Sequence, residues 1–400
     1  MIYKIHILSL LVILLVSCVE EYKVPSGDIS SFKSELVVEG RILVGEKSKI
    51  YISRTVLFES GKVNPDSTFI SDALVTIIGK NGYESIPATF DIECNHYTIN
   101  TEDLQNNTEY AVKVVYEGEV YQSDFQTVLN SPEIDEITYK ERGDGISIHV
   151  STYGNMNNSR YYMWSYEEDW EFHSDFDFVH VTKGVCLYNK DKYVLKNSSE
   201  NPYYYCWGHK DSNDILIYNA ELLGENSLKE VELYHIPISD IRISYIYSVL
   251  VKQWSLDKNA FLYYETMEKQ IEKNAGLFSP MPADIEGNVK CISNPEKRVR
   301  GYVLASNVKT KRIFIYASEF QSLISEYSNC FYRYGFDDAK NNPMWSVAWR
   351  SEMSHAGAVV YTERGEMDLS SVKYSKECVD CRETEGATKK RPDFWPNNHE

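Results

Sequence analysis

Val112-Lys113-Val114-Val115-Tyr116-Glu117-Gly118-Glu119-Val120 carries the pattern on which the fold turns. Val112, Val114 and Tyr116 share one face of an extended chain, Glu117-Gly118 supplies a turn, and Val120 starts the return. The same grammar recurs upstream. Ile50 and Ile52 alternate with Lys49, Tyr51 and Ser53. Val75 and Ile77 lead to Asn81-Gly82, a type I′ hairpin signal, and Leu36 to Val44 is apolar-rich around Gly40. Short strands separated by frequent turns predict a β-sandwich over residues 35–130.

Ser131-Pro132 opens a second unit. Ile134 and Ile137 run to a Gly143-Asp144-Gly145 turn, and Ile146, Ile148 and Val150 alternate on the return. Tyr162, Trp164 and Tyr166 share one strand face, with Tyr161 and Met163 on the other. Ala260, Tyr264, Met267 and Ile271 are spaced four, three and four apart, which predicts an amphipathic helix over 257–275, capped by Asp257 or Ser255. Strand patterns at Gly287–Ile292, Val299–Ala305 and Arg312–Tyr316 are assigned to the second unit. The expected architecture is mainly β. It consists of two tandem sandwiches of immunoglobulin- or transthyretin-like type, 35–130 and 131–400, with one inserted helix and an irregular Cys-containing tail over 370–400.

The N-terminus reads as an address. Lys4 precedes a run from Ile7 to Val16, about half the ~20 residues that span a bilayer. That length fits the core of a signal peptide, residues 1–17. Leu15-Val16-Ser17-Cys18 resembles the bacterial lipobox, which implies cleavage before Cys18 and a lipid on its sulfur. Residues 18–34 then form a tether, and the lipid bilayer becomes a partner through the anchor on Cys18. Val19-Glu20-Glu21 resembles the export signal of Bacteroidota surface lipoproteins, which places the body outside the outer membrane.

A formal net charge of −18 and the lack of any basic stripe argue against nucleic-acid binding. With 31 Tyr, the chain is rich in a residue that suits half-buried sheet surfaces. Serine-hydrolase, phosphate-loop, dinucleotide and His-Glu-x-x-His patterns are absent, so no catalytic residue and no cofactor is assigned.

Several segments are similar to a Bacteroidota lipoprotein family known only as domain of unknown function 4249. They are Tyr162 to Glu171 with Trp164, Glu167, Glu168 and Trp170; Cys206-Trp207; Tyr247 to Gln253; Gly287-Asn288-Val289; Gly301-Tyr302; and the terminal Cys378-Val379-Asp380-Cys381-Arg382 with Lys390-Arg391-Pro392-Asp393-Phe394-Trp395. Arg391 departs from the family's run. The resemblance implies an accessory or binding lipoprotein beside a TonB-dependent receptor of the outer membrane. The rival class is an envelope structural or adhesion protein, and a glycan hydrolase comes third.

Seven cysteines remain after Cys18, an odd number. Cys378 and Cys381 have the spacing of a redox or zinc half-site, but no second close pair completes a metal site, and a staple of the tail is expected. Cys206 and Cys291 are paired only on the strength of the family-like segments. His173, Asp175, Asp177 and His180 are read as a solvated loop rather than a cation site, so no metal is assigned. Glu167, Glu168, Asp169 and Glu171 are the carboxylates from which a glycosidase would draw its pair. Trp345 and Trp349 are the candidates for an exposed binding face.

Overall fold

A computed structural model describes residues 34–56, 68–106, 108–174, 179–182, 193–196, 204–274, 285, 287–320 and 380–396. The first stretch of chain contributes β1 (Leu36–Leu43), β2 (Lys47–Arg54), β3 (Leu74–Gly79), β4 (Thr89–Asp91), β5 (His96–Asn100), β6 (Glu109–Tyr116), β7 (Glu119–Ser123) and β8 (Gln126–Thr127). Next come β9 (Ile134–Arg142), β10 (Gly145–Tyr153), β11 (Tyr161–His173), β12 (Val179–Thr182), β13 (Tyr193–Lys196), β14 (Tyr205–Asp211), β15 (Leu216–Asn219), β16 (Ser227–Pro237) and β17 (Ile246–Leu256). Helix α1 (Lys258–Asn274) leads to β18 (Val289–Cys291), β19 (Val299–Arg300), β20 (Val303–Ser306) and β21 (Lys309–Tyr316).

Two sheets close the first sandwich. One runs β19-β1-β2-β5-β4 with β20 also on β1, and the other β18-β7-β6-β3 with β8 on β6. Strict alternation on β1 and β2 sends Val38, Ile42, Ile50 and Ile52 inward against Val75, Ile77, Val112, Val114 and Tyr121. The β6–β7 hairpin turns on two residues, since Tyr116 faces Glu119. Glu117 and Gly118 both have positive φ, 51° and 78°, the type I′ form. At Asn81-Gly82 only Gly82 is left-handed, and Gly79 N–H bonds the Tyr83 carbonyl at 2.8 Å. The expected two-residue turn there is a three-residue loop.

The second sandwich faces β16-β10-β9 against β14-β11-β17-β21, with β15 on β11. Ile146, Ile148 and Val150 pack on Tyr162, Trp164, Tyr166, Val249, Val251 and Ile315. Central β10 is buried on both faces. Its outer side carries Ser147, His149 and Ser151, all buried, and the Lys140–Glu230 and Arg142–Glu232 ion pairs link β9 to β16 across it.

One sequence assignment is corrected. The strands expected over Gly287–Ile292 and Val299–Ala305 do not complete the second sandwich; β18 pairs with β7, and β19 and β20 add in parallel to β1. Only β21 joins the second sandwich, beside β17. The first unit is therefore discontinuous, and the boundary at residue 131 divides only the outward path of the chain. Gly301, at φ 102°, lets β19 and β20 break beside β1, where a Cβ would lie 2.1 Å from the Val38 carbonyl oxygen.

An apolar core joins the two sandwiches. Tyr161, Met163, Trp254 and Leu256 come from one, Leu43, Tyr302 and Leu304 from the other, with Ala260, Phe261 and Tyr263 of α1 between them. Arg41 of β1 lies over the Trp254 ring, 4.3 Å from its centroid. Asp257 caps the helix by accepting from Ala260 N–H at 2.7 Å. Tyr264 and Met267 pack against this core, but Ile271 is 62% exposed, so the apolar stripe ends a turn earlier than its spacing suggests. Buried Gln253 ties the linker: its Nε2 donates to the Pro132 carbonyl at 2.8 Å, and its Oε1 accepts from Trp164 Nε1 at 2.8 Å. Among the described residues, no helix is long and apolar enough to cross a membrane.

Candidate functional site

The acidic run of β11 organises the end of the second sandwich away from the junction. Alternation divides its carboxylates between two faces. Glu168 lies on the side of Tyr166 and Trp164 and is fully buried. Its Oε1 accepts from Arg242 Nη1 and from the Tyr247 hydroxyl, both at 2.6 Å. Arg242 also grips Asp240 with two nitrogens, Nε at 3.0 Å and Nη2 at 2.7 Å. Burial alone would lower the Arg242 pKa, but the hydrogen bonds it donates to Asp240 and the charge of Glu168 outweigh it and hold the guanidinium protonated. Burial, then the neighbouring Tyr234 and Glu168, pushes the Tyr247 hydroxyl well above its ordinary value.

On the opposite face, Asp169 stands across from His209 of β14 and Ser248 of β17. His209 Nδ1 is 2.7 Å from its Oδ1, and Arg312 Nη1 donates to its Oδ2 at 2.8 Å. Glu167 pairs with Lys252. Glu171 is buried and accepts from the Trp395 indole N–H at 2.6 Å. The run thus places each carboxylate on a different partner, and does not present an open acid–base pair.

Trp395 belongs to a strap, residues 380–396, that wraps the edge of this sheet. Cys381 is bonded to Cys206 of β14, and both are fully buried beside Phe172. Thr388 then adds to the β14 edge through two backbone bonds with Trp207, 2.8 and 2.9 Å. Beyond it, Trp395 packs on Trp207, Ile246 and Phe314, and Phe394 stacks on the Arg312 guanidinium at 3.7 Å. Lys389 is held at the Tyr205 carbonyl, and burial followed by the nearby Arg382 charge lowers its pKa. The strap covers an edge strand that would otherwise offer unpaired backbone groups.

Two short turns repeat one device. Asp240-Ile241-Arg242 and Asp380-Cys381-Arg382 each form a 3₁₀ turn in which the Asp accepts from the Arg backbone N–H and holds the guanidinium bidentately. The middle residues, Ile241 and Cys381, both pack on the Phe172–Cys206 cluster. Sequence reasoning missed Arg242, Arg312 and the strap's docking; the repeated Asp-x-Arg spacing was the available signal.

The cysteine pairings are revised accordingly. Cys381 bonds Cys206 across 175 residues, not its near neighbour, and Cys291 is a free buried thiol rather than the partner of Cys206. Spacing ranks near neighbours first, whereas the folded chain brings the strap to β14. Cys18, Trp345, Trp349 and Cys378 lie outside the described residues, as do Asp175 and Asp177. His173 stacks on Tyr204, with ring centroids 4.8 Å apart; His180 lies on β12, and its side chain is not described. Among the described residues no group of His, Cys, Asp and Glu is arranged to hold a metal ion.

A family model described as "Domain of unknown function (DUF4249)" matches residues 19–312. The chain belongs to this family. The DUF4249 match covers both sandwiches up to Arg312 and stops short of the strap, so the terminal Cys378 to Trp395 segment lies beyond it. Among solved structures, the chain is similar to a two fibronectin type III domain segment from chicken tenascin, at 14% identity over 56% of this chain and 92% of that one, with a TM-score of 0.17. No curated protein matches the sequence.

Proposed function

We propose that this DUF4249 protein is lipid-anchored at Cys18 on the outer membrane, facing the cell exterior. There it serves as an accessory or ligand-binding component of a TonB-dependent nutrient-uptake system. The observation that carries the extracytoplasmic part is the buried Cys206–Cys381 bond, since structural disulfides persist in oxidising compartments and are rare in the cytosol. The lipobox-like Leu15 to Cys18 supports the anchor. Ser34, where the described chain begins, leads into β1 at the end opposite the junction, and the strap closes β11 at its own end opposite the junction. A tethered first sandwich would thereby carry the second as a rigidly attached head.

A structural or adhesion role is the second reading, favoured by the apolar junction core that welds the sandwiches into one spacer. A hydrolase gains nothing from the β11 carboxylates, each bonded elsewhere.

The test is gentle detergent extraction from native membranes followed by mass spectrometry. The proposal expects an acylated peptide beginning at Cys18 and copurification with a large outer-membrane barrel. An uncleaved leader without fatty chains removes the anchor; an acylated protein that isolates alone favours the spacer.

A further inference from the structure

The sequence has no basic stripe, yet the pairing of β1 with β2 assembles a basic patch. On the face of this sheet that turns away from the first core, Arg41 stands directly across from Lys49, and Lys47 lies two residues earlier along β2. Cross-strand neighbours sit about 5 Å apart and alternate residues of one strand about 7 Å, so three cations share one small area. Like charges placed directly opposite destabilise a sheet, and an anion between them turns the repulsion into attraction. The chain carries 59 acids against 41 Lys and Arg, but among the described residues none of the three has a carboxylate within ion-pair reach. The acids nearby are occupied or apart. Glu39, on the same face of β1, accepts from the Tyr263 hydroxyl at 3.1 Å. Asp91 accepts from the backbone N–H groups of Glu93 and Cys94. Glu46 and Glu102 stay exposed in the turns next to Lys47 and pair with neither lysine.

Arg41 is held in place without being satisfied. Its guanidinium rests over Trp254, its Nη2 meets the Met163 sulfur at 3.9 Å, and its Nε is buried with no hydrogen-bond partner. A guanidinium fork fixed in this way suits a carboxylate, because little freedom is left to lose on binding. Tyr51, across from Glu39 in the next row, is 40% exposed. Burial raises its hydroxyl pKa, Arg41 opposes the rise, and Asp211 of β14 adds to it, so the ring stands where the first sheet approaches the second sandwich. Thr98 lies across from Lys49 and Asn100 across from Lys47, which puts a hydroxyl and an amide on the same face. Cations, short polar groups and an amphipathic ring together suit a sugar chain that carries acids. A flat anionic bilayer fits less well, since Arg41 is drawn against Trp254 at the junction rather than extended outward.

We propose that the Arg41–Lys49–Lys47 patch, with Tyr51 beside it, binds an acidic oligosaccharide, a chain of sugars bearing carboxylates. The inference rests on the ligand-binding reading above and names the class of ligand.

The test titrates full-length acylated protein in mild detergent, by calorimetry, with trimers of galacturonate, glucuronate and mannuronate, with neutral maltotriose and with triglutamate. The expected result is binding of a uronate trimer that weakens as NaCl is raised, and none of maltotriose. Lys47→Glu with Lys49→Glu lowers that affinity about tenfold or more, while the melting temperature holds or rises because the repulsion against Arg41 is gone. Lys229→Glu, at an exposed cation of β16, changes neither. An equal loss in Lys229→Glu, equal binding of triglutamate, or binding of anionic vesicles through the same two lysines overturns the proposal. Copurification with an outer-membrane barrel is read on the same extract. A barrel present with no uronate trimer bound overturns this site and leaves the uptake reading standing; neither barrel nor trimer removes both.

Discussion

Replacing Cys206 and Cys381 together with Ala opens a ring that spans 175 residues of sequence separation. In the chain-entropy account, a cross-link of that span restricts the unfolded ensemble by about 5 kcal/mol. The native state keeps the strap's other contacts: the Thr388–Trp207 backbone pair, the Trp395–Glu171 hydrogen bond and the Phe394–Arg312 stack. The loss therefore appears mainly through the unfolded state, and a drop of about 3–5 kcal/mol is expected in urea unfolding followed by Trp fluorescence. Because Ala fills both buried sites without adding an unsatisfied hydroxyl, the change reports the link rather than a new polar burial. Reducing the wild type should move its curve onto that of the variant. A drop under about 1 kcal/mol, or a wild type indifferent to reductant, would refute the reasoning, because the bond would then be absent or the enclosed segment already ordered when unfolded.

Arg242→Met leaves Glu168 buried without its cation and should cost about 3–5 kcal/mol in the same assay, while adding Glu168→Gln recovers part of it; additive losses would deny the pair. Trp395→Phe removes the N–H donor to buried Glu171 and should cost about 1.5–3 kcal/mol, with earlier trypsin cleavage at Lys389 or Lys390; an unchanged digest would show that Trp395 does not hold the strap. Burial raises the hydroxyl pKa of Tyr247, Tyr234, Tyr166 and Tyr162, and burial with Glu221 nearby carries Tyr161 to about 12. Above pH 10 the unfolded chain gives up these protons while the folded one keeps them, so stability falls as pH rises from 10 to about 12. Absorbance at 295 nm should then rise in one step with unfolding; smooth titration of every tyrosine in a folded protein would contradict it. Gly208→Ala drives a Cβ to 2.2 Å from the Trp170 ring and should lower stability by about 1–3 kcal/mol, and a neutral result would mean the indole can move aside.

What was legible in the sequence was local. Alternation at Val112, Val114 and Tyr116 and at Ile50 and Ile52 found strands, because period two follows directly from the pleat. Asp257 was readable as a cap because its acceptor serves a backbone N–H three residues on. Partner choice was not legible. Val303 and Leu304 are apolar enough for any sheet, and nothing in their neighbourhood reports that the free edge of β1, more than 250 residues earlier, receives them in parallel. Turn type was read from composition at Asn81-Gly82, yet the type I′ turn formed at Glu117-Gly118, where the register of β6 and β7 holds a Glu at positive φ. The site divided along the same line. The acidic residues of β11 stood out as a run, but the groups that neutralise them come from β14, β17, β21, the Arg242 turn and the strap, each distant in sequence.

That distance has a consequence for how the two sandwiches relate. The first lacks β18, β19 and β20 until the chain has passed through the second, so residues 35–130 alone would expose both the β1 edge and the β7 edge to solvent. The second, in turn, keeps its β14 edge uncovered until the strap arrives near the end of the chain. Each unit is therefore completed by segments that follow the other's strands, and the junction core of Tyr161, Trp254, Phe261 and Tyr302 forms between surfaces that both must already exist. Non-local closure of this kind is slow to form, since loop entropy must be overcome before any contact compensates for it. Once formed, the packing is continuous from β11 to β1 through Met163, Trp254 and Arg41. The shared apolar core of packed aromatics, rather than a flexible linker, opposes hinge motion between the two sandwiches.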